Sequence, residues 1–191
     1  VGAEDYTVLD TPGMYSILPI TEEESVARRI LLEESPHIVL HVHDARNLER
    51  MLPMTLQLIE AGLPVILLVN IMDEAERINM QIDIALLKEK LQVPVVAGAL
   101  GRAKRGLWEL RDAIRDYQPC QATFAYASVL EIDIKAISTL MQGEYIVDKR
   151  CLALLLLQRD EEIAQRVRDR EDERYASVES TVNDIVFARR V

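Results

Sequence analysis

The sequence predicts an α/β fold, a parallel sheet with flanking helices, followed by a small all-helical domain. Three observations predict it. Short β-rich runs alternate with helix-like stretches as far as residue 117, the spacing expected of βαβ units. The run 64–70 (PVILLVN) is almost continuously apolar, as befits a parallel strand covered on both faces. After Pro119 convincing strands cease, and residues 126–191 contain a single glycine, Gly143, and no proline.

Taken in order, residues 6–10 (YTVLD) read as a first strand that breaks at Thr11-Pro12-Gly13. Residues 22–34 read as a helix with Thr21 as N-cap, and Glu22, Glu23 and Glu24 sit in its first turn, where the helix dipole favours anions. Ser35-Pro36 ends it, and residues 38–43 form the next strand, stopping at Asp44. A helix is expected over 52–61, with Pro53 in its first turn and Gly62 as its stop. After the 64–70 strand come a helix over 83–91, a strand over 93–97 and a helix over 107–117, whose Trp108 and neighbouring leucines are expected to pack on the sheet. Beyond a linker near 118–125, Val129, Ile132, Ile134, Ile137 and Leu140 recur at loosely helical spacing. Residues 151–157 are apolar all round, the mark of a helix buried among others, with Cys151 in the core. The mixed-charge stretch 159–174 reads as a solvated face. The domains are therefore placed at 1–119 and 120–191, with Cys120 in the linker.

Composition removes several function classes. There are 32 acidic against 22 Lys and Arg residues, a formal net charge of −10, and the richest basic cluster is the short Arg102, Lys104, Arg105. Such a balance offers no footprint for nucleic acid or anionic lipid. Two cysteines without a CxxC partner provide no metal or disulfide framework and suit a reducing compartment. The longest apolar run falls far short of the roughly 20 residues that span a bilayer. The first residue is Val1 rather than methionine, from which a start further upstream is expected.

Chemistry gathers at strand ends, where parallel α/β sheets bind ligands. Asp10, Asp44 and Asn70 each follow a strand-like run. In Asp10-Thr11-Pro12-Gly13, the carboxylate can hold Mg2+ through water, and the glycine lets a backbone N–H approach a terminal phosphate. In Asn70-Ile71-Met72-Asp73, a carboxylate at the fourth position can accept both the ring N–H and the exocyclic amine of guanine. Each motif alone also fits a plain turn or helix cap. Their order, with one strand–helix unit between them, is the layout of a phosphate-loop GTPase. Ala97-Gly98-Ala99, after the next strand, occupies the place of a third base-contacting element, in which Gly98 and Ala99 supply backbone contacts.

The runs from Asp10 to Leu18 (DTPGMYSIL), from His43 to Arg50 (HDARNLER), Thr55-Leu56-Gln57-Leu58, and Asn70 to Ala75 (NIMDEA) resemble, in order and spacing, the ferrous iron transport protein B (FeoB) family. The stretches 149–154 and 184–189 are similar to that family's helical domain. The resemblance implies an incomplete GTPase-type sheet and a helical domain, tethered to a membrane-embedded iron-transport domain at the cytoplasmic face of the bacterial inner membrane. It implies GTP or GDP and Mg2+ as cofactors, with Asp10, Gly13, Asn70, Asp73, Gly98 and Ala99 at the nucleotide and Asp10 toward the metal. It leaves homo-oligomer formation open. No GxxxxGK[ST] occurs in these 191 residues, so the lysine and Ser/Thr that hold phosphates and Mg2+ are absent from them. The chain is accordingly expected to lie downstream of a phosphate loop. Met14, following Gly13, cannot orient water as a glutamine could. A module that keeps the fold without binding nucleotide, and a different GTPase of the same class, are the alternatives. His41 and His43 share one strand face without an evident third metal ligand, and are expected to be buried or interfacial strand histidines.

Overall fold

The computed structural model describes residues 5–101, 104–119 and 124–189. The chain divides into two compact units, Val1–Ala122 and Thr123–Val191. The expected boundary between residues 119 and 120, and Cys120 with it, adjoins the segment 120–123, which lies outside the described residues.

In the first unit, three parallel strands run in the order β1 (Val39–Asp44), β2 (Val65–Asn70), β3 (Val95–Ala97). The register pairs Leu40 with Ile66, Val42 with Leu68 and Asp44 with Asn70, so two strand ends lie side by side. Residues 65–69 of β2 are at most 1% exposed, as their unbroken apolar run requires. Helix α1 (Glu22–Glu33) opens on a capping box, in which Thr21 Oγ1 accepts from Glu24 N–H and the Glu24 carboxylate accepts from Thr21 N–H, both at 3.2 Å.

Helix α2 (Leu48–Glu60) begins earlier than the sequence suggests and carries Pro53 in its second turn. The cause is Asp44, which accepts from Arg46 N–H at 2.9 Å and caps a 3-10 turn over Ala45–Asn47, so the chain passes from strand to helix without a loop. The carbonyl that Pro53 cannot serve belongs to Glu49, an exposed residue that water can satisfy. A short helix α3 (Met72–Arg77), which no sequence pattern announced, follows β2. Helix α4 (Ile84–Leu91), expected over 83–91, is capped by Asp83, whose carboxylate accepts from Leu86 N–H at 2.8 Å.

Helix α5 (Leu107–Arg115) packs Leu110, with Ala113, Ile114 and Tyr117, on Ile66, Leu68 and Val96. Trp108 does not join them. Two residues before Leu110, it points about 200° round the helix, is 67% exposed, and lies against Arg111 at 4.7 Å. The expected strand over 6–10 is also not formed. Among the described residues no strand pairs with it, and Val8 and Leu9 are exposed, so it gains neither ladder bonds nor burial.

The second unit is a helical bundle of α6 (Ser128–Ser138), α7 (Lys149–Leu157), α8 (Glu161–Glu171) and α9 (Tyr175–Arg189). Cys151, Leu152, Ala153, Leu155 and Leu156 of α7 are buried, while Leu154 is only partly so. The charged stretch is helical, but it turns Ile163, Val167 and Glu171 inward at i, i+4, i+8. Glu171 accepts from Gly143 N–H at 2.8 Å and from the Tyr145 hydroxyl at 2.7 Å, fixing the loop after α6. Asp133 and Arg189 join α6 to α9 through contacts of 2.9–3.1 Å.

Candidate functional site

The loops after β2 and β3 meet around Asn70. Its Oδ1 accepts from Leu100 N–H at 3.0 Å, tying the end of β2 to the loop after β3. Ile71 then adopts φ 62°, ψ 30°, a left-handed conformation that a β-branched residue takes at a cost of about 1–2 kcal/mol. It is held there because Met72 N–H donates to Gly98 O at 3.0 Å, and Glu74 and Ala75 N–H donate to Ile71 O. This backbone turn presents Asp73 in the first turn of α3. No side chain caps that helix, and among the described residues no hydrogen bond reaches the Asp73 carboxylate. The plain reading of Asn70 and Asp73 as helix caps is therefore not what their side chains do.

Gly98 is buried, and its N–H donates to Val69 O at 2.8 Å. A Cβ there would lie 3.1 Å from Arg105 O, so the loop's closure leaves little room for a side chain. Ala99 is 3% exposed and donates its N–H to Arg105 O at 3.0 Å. Gly106 closes the loop at φ 86°, where a Cβ would sit 2.6 Å from Ala97 O, so only glycine fits. Gly98, Ala99 and Leu100 thus spend their N–H groups inside the protein.

Charge around Asp73 is ordered by two arginines. Arg105 makes a two-pronged contact with Glu76 of α3, at 3.2 and 2.8 Å. Those hydrogen bonds hold the Glu76 carboxyl below its ordinary range and raise the Arg105 guanidinium, and the nearby Asp73 charge pushes both groups upward. Arg46 forks onto Asp44 at 2.7–3.2 Å and reaches Glu74 with its other nitrogen. Asp44, depressed by its hydrogen bonds from Arg46, is thereby committed to the turn and to α3. Ile71, Leu100, Arg105 and Glu76 carry no sequence motif that marks them for the site. The Arg105–Glu76 pair spans 29 positions, a separation that no local pattern reveals.

Asp10 and Gly13 stand apart from this group. Both are exposed on a segment without regular secondary structure, and among the described residues no hydrogen bond joins them to the loops after β2 and β3. A Cβ on Gly13 would meet nothing within 4 Å, so its approach is open. The structure thus brings Asn70, Asp73, Gly98 and Ala99 together and leaves Asp10 and Gly13 as a separate arm. His41 and His43 face α2, forming a triangle with the Thr55 hydroxyl whose edges are 3.0–3.2 Å. Among the described residues no group of three or more His, Cys, Asp or Glu side chains is placed to hold a metal ion, and no helix is long and apolar enough to cross a membrane.

Residues 1–114 match the family model described as ferrous iron transport protein B, and residues 126–187 match that of the FeoB cytosolic helical domain. The Fe(2+) transport protein A/Fe(2+) transporter FeoB fusion protein of Porphyromonas gingivalis is 35% identical over 169 residues, 82% of this chain and 20% of that protein. The Fe(2+) transporter FeoB of Escherichia coli K12 is 33% identical over 161 residues, 81% of this chain and 21% of the transporter. The chain thus spans about a fifth of the length of these curated relatives. Among solved structures, NFeoB from S. thermophilus bound to GDP.AlF4- and K+ superposes with a TM-score of 0.81 at 30% identity, covering 94% of this chain and 71% of that one. The cytosolic domain of T. maritima FeoB in its GMPPNP form gives 0.76 at 25% identity, covering 94% and 77%.

Proposed function

This chain belongs to the ferrous iron transport protein B family, and from that premise we propose that it is a guanine-nucleotide-binding regulatory region that couples GTP binding and hydrolysis to Fe2+ uptake by a membrane-embedded transport domain. One observation carries the base-binding part. Asp73, presented by a strained Ile71 and half-buried, has a carboxylate that no protein group hydrogen-bonds among the described residues. A strained backbone that points an unspent acceptor outward calls for an external partner. Guanine offers two donors on one edge, which one carboxylate can take together. Asn70 fixes the neighbouring loop, and Gly98 and Ala99 form its backbone wall.

The phosphate end rests on Asp10 and Gly13. A single exposed carboxylate is an oxygen donor suited to Mg2+, which keeps several waters and takes its other ligands from phosphates. Asp10 would hold the ion through water, and the ion would neutralise phosphate charge. Gly13, unobstructed, would offer its backbone to the terminal phosphate. The bundle of α6–α9 is read as the relay toward the membrane domain, and the assembly's place as the cytoplasmic face of the bacterial inner membrane.

Phosphate cradles supply much of the attraction for nucleotides, and these 191 residues hold no such sequence. Calorimetry with Mg2+ tests both halves of the reading. The full-length protein should bind GDP and not ADP, while the 191-residue chain binds GDP weakly or not at all. Equal binding of GDP and ADP by the full-length protein would remove the base reading. Micromolar GDP binding by the chain alone would show that the cradle is dispensable.

A further inference from the structure

We propose that Gln57 on α2 is a positioning residue that sets where the phosphate-facing arm, residues 10–13, begins. The role rests on the functional reading above. Gln57 Oε1 accepts from Ile17 N–H at 2.7 Å and from the Ser16 hydroxyl at 3.3 Å. Ser16 Oγ in turn accepts from Leu18 N–H at 3.1 Å, so one side-chain amide organises three consecutive residues. Arg50, two helical turns before Gln57 and so on the same face of α2, lies 4.5 Å from the centre of the Tyr15 ring. Ile17 is 2% exposed and Met14 9%, and these apolar anchors press the same segment into the core.

The change from free to fixed chain falls between Gly13 and Met14. Residues 10–13 are exposed, while the segment that follows is held by α2 from several sides. A ligand that engages Asp10 and Gly13 therefore has to order only a four-residue arm whose root is already in place. Without the Gln57 acceptor the root is no longer held in place, and the ligand must order more chain. That cost falls on a ligand that needs the arm, a triphosphate with Mg2+. A diphosphate recognised at the base escapes it. Because Gln57 acts as an acceptor, glutamate can replace it and methionine, similar in length, cannot.

The test compares Gln57→Met and Gln57→Glu. Amide exchange is measured on the nucleotide-free chain, and affinities for GDP and for a non-hydrolysable GTP analogue are measured with Mg2+ on the full-length protein. In Gln57→Met the Ile17 amide should exchange about 10-fold faster, and the GTP analogue should bind about 10-fold more weakly, with GDP changed less than about 2-fold. Gln57→Glu should restore both. Unchanged Ile17 exchange would overturn the proposal by showing that the clamp is absent. Faster exchange with both nucleotides bound as before would overturn it by showing a purely structural contact. An unmodified protein that binds neither nucleotide would overturn the functional reading and this role together, an outcome distinct from the other two.

Discussion

His41 and His43 show how a single strand face can tie local chemistry to stability. Burial holds His41 down to about 4, and burial together with the neighbouring His41 holds His43 down to about 3. Both are therefore neutral in the folded chain at pH 7, which lets them share the Thr55 hydroxyl without repulsion. In the unfolded chain they titrate near 6.5, so between that value and the folded ones the unfolded state binds more protons. Stability from this pair is complete above about pH 6.5 and is lost as the pH falls toward 4, by about 1.4 kcal/mol per unit for each histidine. Urea unfolding should show a loss of about 3 kcal/mol between pH 6.5 and 5, less than the full slope because the unfolded histidines are already half protonated at pH 6.5, and the double variant His41→Asn, His43→Val should lose less than about 1 kcal/mol over the same span. Equal slopes would show that the imidazoles are not buried neutral. The sequence disclosed that the two histidines share a face, since side chains alternate along a strand. It did not disclose Thr55 as their partner, because that contact depends on how α2 crosses the sheet.

Elements with a local cause were legible. The cap residue Thr21 announced α1, and the apolar run 65–69 announced β2. Elements that depend on distant partners were not. Residues 6–10 have strand-forming side chains, yet among the described residues no strand lies beside them to form a ladder, and α3 exists because Gly98 O receives Met72 N–H across 26 positions. In the second unit, the apolar run of α7 predicts burial on every side, whereas Leu154 is partly exposed and Leu155 is 2% exposed. Leu155 is consequently the probe of the bundle core. Leu155→Asp places an unpaired charge there, a cost of several kcal/mol, and should abolish cooperative unfolding of residues 123–191 as followed by circular dichroism. In the full-length protein we expect GDP to remain bound and iron uptake to fail. Loss of GDP binding with the bundle still folded would contradict a division of labour in which the first unit alone holds nucleotide.

At the scale of the whole molecule, one unit carries strand-end chemistry and the other carries packing. The first brings together Asn70, Asp73, Gly98 and Ala99 from two loops, a grouping that motif order by itself suggests. What the motifs could not convey is that the loop N–H groups are already engaged and that Asp73 is not, since this depends on Arg105 reaching Glu76 and on the left-handed turn at Ile71. The second unit spends its buried polar groups on its own loops and helices, as Glu171 does on Gly143 and Tyr145, and Asp133 on Arg189. The central claim, that Asp73 reads guanine, is tested most directly by nucleotide titration of full-length Asp73→Asn. An amide in place of the carboxylate presents a donor to the base edge, and sites built on such hydrogen bonds discriminate steeply. GDP affinity should fall by at least about 100-fold while the xanthine diphosphate, which carries an oxygen where guanine has its amine, binds more tightly than to the parent. If the variant binds both diphosphates as the parent does, Asp73 does not touch the base.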